Sequence, residues 1–178
     1  AYNTAATAPA APTREGYRFT GWDKTFDVIT GDTEITAQYI KTWTVTFKDE
    51  DGTVLKTEIV DEGTGATAPT EPAKEGHTFA GWNAAFDNVT EDTVVTATYT
   101  VNQYTVTFKD WDGSVLKTEQ VAYNTGASAP TEPNREGYRF TGWDVSFENI
   151  MGDTIVTAQY EKEESIVPPT EPEQPQAP

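Results

Sequence analysis

Carboxylates at alternate positions followed by glycine, the opening spacing of a calcium loop, occur twice in this chain: Asp49-Glu50-Asp51-Gly52 and Asp110-Trp111-Asp112-Gly113. An EF-hand loop needs a further acidic ligand and a closing glutamate. Lys56 and Lys117 follow instead, and Asp-Gly is a strong hairpin-turn dipeptide, so both tetrapeptides read as hairpin tips and no metal site is assigned. Lys48 and Lys109 recur in one strand while Asn88 and Asn149 recur near the end of a repeat. Side chains of these types can condense to an isopeptide bond beside a buried acid. Here both lysines have outward parity and Val28 replaces the asparagine in a third copy, so solvated lysines and turn asparagines are expected. His77 stands where Tyr17 and Tyr138 stand in sister copies, which makes it a packing residue rather than a metal ligand. No Ser-His pairing, glycine-rich phosphate loop or recurring carboxylate pair suited to acid–base chemistry is found, so no catalytic, cofactor-binding or metal residue is assigned and the chain is not read as an enzyme.

Two aromatic residues are candidate partner-binding residues. Trp111 stands where the middle copy has Glu50, so its hairpin-tip position is expected to be exposed, and exposed tryptophan is enriched at binding hot spots. Three readings stay open for it: it binds a partner, it packs on a neighbouring unit, or it is a lone surface apolar residue. Tyr123, matched by Tyr2 but by Glu62 in the middle copy, is the second candidate.

These residues belong to a chain that repeats itself. Trp43–Tyr99 and Tyr104–Tyr160 align without a gap, with 35 identities in 57 positions, which makes the internal copies a guide to structure. Ala1–Tyr39 aligns with their later part and lacks the first 20 or so residues. Each complete copy opens on a hairpin (WTVTFKDEDGTVLKTEIV and YTVTFKDWDGSVLKTEQV), with Thr and Val alternating with aromatics around Asp-Gly. A crossover rich in Pro and Gly follows (GATAPTEPAKEG), which disfavours helix. HTFAGW is a short strand, NAAFDNVTEDT a turn-rich connection with room for one helical turn, and VVTATY the closing strand. Ile35, Val95 and Val156, then Ala37, Ala97 and Ala158, then Tyr39, Tyr99 and Tyr160 mark its inward face at period two. Leu55 and Val60 are both apolar but of opposite parity, which points to a bulge. Modules under 60 residues have small cores, best filled by large aromatics: Phe47, Phe79, Trp82, Phe86 and Tyr99, with Phe108, Phe140, Trp143, Phe147 and Tyr160 as counterparts. The expected organisation is a partial module at 1–40, complete modules at 43–99 and 104–160, and a disordered or polyproline-like spacer at 161–178, which holds five prolines and five glutamates. The short linkers Ile40–Thr42 and Thr100–Gln103 predict an elongated, semi-rigid array.

Composition narrows the function classes. The 178 residues contain no cysteine and one histidine, and carry a net charge of −17. Disulfides and thiolate chemistry are excluded, and nucleic acids and anionic membranes are repelled. No apolar run is long enough to insert in a membrane. The first residue is not Met and the chain starts mid-pattern, as a piece of a longer protein would.

The thrice-repeated Gly-[Tyr/His]-x-Phe-x-Gly-Trp and Asp-Thr-x-[Val/Ile]-Thr-Ala-x-Tyr patterns, with the VTFxDxDG hairpin and the AP…P…G crossover, resemble the Listeria–Bacteroides repeat family. That family includes the B repeats of internalin-type surface proteins. The resemblance covers nearly all of residues 1–160. It implies a mainly β fold, α+β at most, made of tandem small β-grasp-like modules, and an extracellular or bacterial cell-surface location. Structural stalk or spacer repeats are the leading expectation. Adhesion to a host surface protein or glycan through Trp111 and Tyr123 is the alternative. Besides neighbouring repeats, the partial copy leaves two readings open: residues 1–40 lack the opening hairpin, which either lies upstream in a longer protein or leaves a strand edge that pairs with another chain.

Overall fold

The computed structural model describes residues 3–164. Among these there is no helix, and nine strands follow one another: β1 (Tyr17–Trp22), β2 (Ala37–Lys48), β3 (Val54–Asp61), β4 (His77–Trp82), β5 (Thr93–Val101), β6 (Gln103–Lys109), β7 (Val115–Ala122), β8 (Tyr138–Trp143) and β9 (Thr154–Lys162). The protein is mainly β, as its alternating Thr, Val and aromatic residues predict. The chain divides into two compact units, one running to Thr100 and one from Val101.

In the first unit the complete module is a mixed sheet. β2 and β3 form the Asp-Gly hairpin, and β5 returns parallel to β2, with Val45 opposite Thr93 and Phe47 opposite Val95. β4 lies on the far side of β5. The register shifts where Lys48 meets Val54, so Leu55 is the extra residue of the hairpin. That shift is why Leu55 and Val60 sit in one core despite opposite parity. The second unit repeats the arrangement in the order β7-β6-β9-β8, with the same hairpin shift at Lys109 and Val115 and the same parallel pairing of β6 with β9. β8 shifts register at Gly142 against β9. Gly142 has φ of 134° there, a value at which a side chain is strained.

One face of each sheet carries the core. Val45, Phe47, Val60, Val89 and Val95 are buried together in one module, and Val106, Phe108, Val121, Ile150 and Val156 in the other. The lid is irregular chain. Ala66 donates its N–H to the Phe86 carbonyl at 2.8 Å, and Gly63 and Val89 bond through Gly63 N to Val89 O (2.8 Å) and Val89 N to Thr64 O (3.0 Å). The Pro-containing crossover and the connection after Trp82 thus satisfy one another's backbone groups, as burial requires. The connection makes no helical turn.

The partial module is built on the same strand as its neighbour. Residues Ile40–Thr42, read from the sequence as a linker, lie inside β2. Its first half pairs with β1 (Phe19 opposite Tyr39, Tyr17 opposite Lys41) and its second half with β3 from Thr42 onward. Thr42 donates its N–H to the Gly16 carbonyl at 2.9 Å, and Glu62 donates to the Lys41 carbonyl at 2.8 Å. With pairing partners on successive flanks, the backbone has no reason to leave extended geometry.

Candidate functional site

The two acidic tetrapeptides are hairpin tips whose carboxylates are engaged within the module. Asp49 accepts the N–H of Glu50 at 2.8 Å and the hydroxyl of Tyr99 at 2.7 Å, and Asp51 accepts the N–H of Thr53 at 2.8 Å. Asp110 and Asp112 do the same with Trp111, Tyr160 and Ser114 at 2.8, 2.6 and 2.9 Å. The Asp51 and Asp112 carboxyls lie below the usual carboxylate range because of the bonds from Thr53 and Ser114. Burial first, and the bond to the hairpin aspartate second, push the Tyr99 and Tyr160 hydroxyls up to about 12. Among the described residues, no three His, Asp or Glu side chains converge so as to hold a metal ion.

Trp111 is 53% exposed, and its ring is occupied on one side. The Arg135 guanidinium lies 4.0 Å from the Trp111 ring centroid and 3.8 Å from that of Tyr138. In the middle copy the corresponding pair is Glu50 and Lys74, which form an ion pair. Glu has become Trp where Lys has become Arg, so a surface ion pair is exchanged for a guanidinium stacked on aromatic faces, the contact that suits Arg best. In the partial module Arg14 stacks on Tyr17 at 3.9 Å. Tyr123 is half-buried, with its ring 6.4 Å from Tyr104. Trp111 sits at the tip of the β6–β7 hairpin and Tyr123 beyond its open end, so the two candidates do not form one patch.

Of the residues assigned to the core, Phe47 and Phe108 are completely buried. Phe79, Trp82, Phe86 and Tyr99, and likewise Phe140, Trp143, Phe147 and Tyr160, are half-buried around them. Their rings meet edge to face: Phe47 with Trp82 and Phe86, both at 5.1 Å, and Phe79 with Trp82 at 5.3 Å and with Tyr99 at 6.1 Å. His77 packs edge-on against Tyr99 at 6.5 Å, and its Nδ1 lies 2.8 Å from the Glu75 carbonyl oxygen. Lys48 faces Val54 and Thr96 in the ladders, and Asn88 is exposed. No polar or charged residue is buried among the described residues, so the buried acid that a Lys–Asn crosslink needs is missing.

Several interactions escape a reading of the sequence. Glu58 accepts bonds from Lys56 and from the Thr67 N–H, both at 2.8 Å, and Lys56 also donates to the Thr67 carbonyl at 2.6 Å. Lys117, Glu119 and Ser128 repeat this clamp. The Lys117 ammonium, helped by the Ser128 N–H, holds the Glu119 carboxyl down at about 2, and Glu58 is lowered for the same reason. Asp92 and Asp153, the acids of the repeated Asp-Thr, accept the N–H groups of Thr44 and Thr105 at 2.8 Å. Asn83 and Asp144, directly after Trp, accept those of Thr96 and Thr157 at 2.7 and 2.6 Å. Val89 and Ile150 are buried to 3% and 2% exposure. Their signal was available, since Ile29, Val89 and Ile150 are apolar in all three copies. Where the partial and complete modules of the first unit meet, Gly16, Tyr17, Arg18, Thr42, Ile59 and Asp61 line an open groove of about 690 Å³. Arg18 and Asp61 form a two-point ion pair across it, with Nε to Oδ1 at 2.8 Å. This bond raises the guanidinium and lowers the carboxyl pKa.

The repeated phrases therefore encode contacts that close one module. A family model described as the Listeria-Bacteroides repeat domain matches residues 1–42, 43–103 and 104–145. The chain belongs to the Listeria–Bacteroides repeat family. Relatives of these repeats include a candidate membrane protein of Evansella cellulosilytica, 31% identical over 156 residues, or 76% of this chain and 24% of that protein. A candidate Gly-rich membrane protein of the same organism is 27% identical over 191 residues, covering 90% of this chain and 22% of that protein. Internalin H of Listeria monocytogenes is 38% identical over 120 residues, 61% of this chain and 20% of that protein. The chain thus spans a quarter or less of the length of these relatives. No helix among the described residues is long and apolar enough to cross a membrane.

Proposed function

We propose that these repeats are a structural spacer of a bacterial cell-surface or secreted protein, projecting another domain outward. The observation that carries this reading is where the repeated polar residues point. Asp49, Glu58, Asn83, Asp92 and Tyr99, with their counterparts in the second unit, all bond within their own module. A catalytic or ligand-binding repeat would aim some of them at shared open space. The candidate membrane proteins and the internalin among the relatives support a surface location. Small-angle scattering on arrays of rising repeat number tests the proposal. The largest dimension is expected to grow by a constant increment per repeat. A globule whose radius follows the roughly 0.38 power of length overturns it.

The second reading, adhesion to a host protein or glycan, rests on the open face of Trp111. Glycan arrays and pull-downs comparing the protein with Trp111→Ala distinguish the two. A bound ligand lost in the variant supports adhesion, and unchanged binding removes Trp111 from it.

A further inference from the structure

We propose that the segment following β9, residues 165–172 (Ser-Ile-Val-Pro-Pro-Thr-Glu-Pro), docks on Trp111 and Arg135 of its own module, with its prolines on the open indole face and its glutamate on the guanidinium. The Arg135 guanidinium lies over both the Trp111 and the Tyr138 rings, 4.0 and 3.8 Å from their centroids. Stacking uses the flat face of an arginine and leaves its N–H fork for a carboxylate. Arg135 enters none of the five ion pairs among the described residues, so no carboxylate is paired with it. Trp111 stays 53% exposed. An aromatic face is what a polyproline segment docks on, and a guanidinium fork is what a carboxylate binds. Here the two stand side by side.

The path of the chain delivers the occupant. β9 runs parallel to β6, with Thr157 opposite Lys109, so its last residues pass the hairpin tip, where the Tyr160 hydroxyl reaches Asp110 at 2.6 Å. Lys162 pairs with Tyr138, and Glu163 donates its N–H to the Gly137 carbonyl at 3.0 Å. Gly137 is two residues from Arg135, at most about 7.6 Å between Cα atoms. From Glu163 to Pro168 the chain covers about 15 Å at the polyproline rise of about 3.1 Å per residue, enough to bring Pro168 and Pro169 over the indole. Glu171 follows about 6 Å further on, within reach of the guanidinium. The middle copy shows the converse. After Tyr99 its chain leads into the next repeat instead of a Pro-rich segment, and its tip carries the Glu50–Lys74 ion pair. Both residues that the docked segment touches are thus replaced where that segment does not follow.

The segment comes from the same chain. A short tether holds it at an effective concentration of about millimolar, while a second chain of net charge −17 is repelled. The test is NMR on the isotope-labelled full chain. Nuclear Overhauser contacts between the Trp111 ring and the ring protons of Pro168 and Pro169 are expected at every protein concentration. Backbone order parameters at 165–167 are expected near about 0.8, in the range of rigid backbone. The double variant Trp111→Glu with Arg135→Lys installs the pair with which the middle copy folds. It is expected to keep the core amide shifts, to lose the ring contacts and to bring the order parameters below about 0.6. Glu171→Gln is expected to shift the Arg135 Nε–H signal. Absence of the ring contacts in the unmodified chain overturns the proposal, as does their survival in the double variant. Contacts that grow with protein concentration also overturn it, since the segment of another molecule would then be the occupant. An Arg135 signal unmoved by Glu171→Gln overturns the assignment of that carboxylate to the guanidinium.

Discussion

At the scale of single residues, the atypical members of the repeat are explained by their partners. Trp111 looks like a binding anchor until Arg135 is placed against it, and then it belongs to a contact that the middle copy makes with Glu50 and Lys74. A double-mutant cycle with Trp111→Ala and Arg135→Ala, measured by chemical denaturation, is expected to give a coupling of about 0.5–1 kcal/mol, the range of exposed cation–π pairs. A coupling of zero would return Trp111 to the class of unattached surface aromatics. The Tyr99 and Tyr160 hydroxyls, raised to about 12, are neutral in the fold when an ordinary tyrosine at 10 is half ionised. Their contribution to stability is complete below pH 10 and is lost as pH rises through 12. An alkaline titration followed by tyrosinate absorbance is expected to show two late-titrating groups, one of which Tyr160→Phe deletes. A single transition near 10 in the native protein would contradict this. The inward aromatics were legible because three copies vary around them. Arg135 on Trp111 was not, since 24 residues separate the two and neither local period nor propensity links them.

At the scale of elements, strands and hairpins follow from period-two alternation and Asp-Gly, and the structure has both where those signals stand. What alternation does not carry is the fastening of irregular chain to the sheet. The Lys56–Glu58–Thr67 and Lys117–Glu119–Ser128 clamps join a strand to a crossover about ten residues on, through backbone groups that have no sequence identity of their own. Val89 and Ile150 are buried from a turn-rich stretch in which no regular face can be drawn. Ile40–Thr42 looked like a linker because modules were aligned as separate objects, while the backbone, bonded on both flanks in turn, continues as one strand. The clamp has a definite acid dependence. Glu119 is depressed from 4.5 to about 2, so its stabilisation is present above pH 4.5 and is lost as pH falls through about 2. In NMR titrations the Ser128 amide is expected to shift with a midpoint near 2, and Glu119→Gln to abolish that transition. A midpoint close to 4.5 would show that the lysine and the amide do not hold the carboxylate in solution.

At the scale of the whole molecule, charge dominates. With 29 acidic against 12 basic side chains, repulsion within the chain opposes the compact state, while keeping chains apart suits repeats exposed on a surface. Five ion pairs among the described residues engage five of the cations, and exposed pairs of this kind contribute little. Screening should therefore relieve more repulsion than it removes attraction, and the melting temperature is expected to rise between about 10 and 150 mM salt, as the screening length falls below 10 Å. Acid should act in the same direction at first. As pH falls from 7 toward the sequence isoelectric point of about 4.2, negative charge is lost, while Glu58, Glu119, Asp51, Asp61 and Asp112 are held ionised by their hydrogen bonds to lower pH. Repulsion declines before the fastening does. Thermal melts across pH 2–8 should therefore peak on the acid side of neutrality and fall again at lower pH, as the lowered carboxyls take up protons, Glu119 at about 2 among them. A maximum at neutral pH that added salt does not move would mean that the acidic surface is too dispersed for its repulsion to bear on folding.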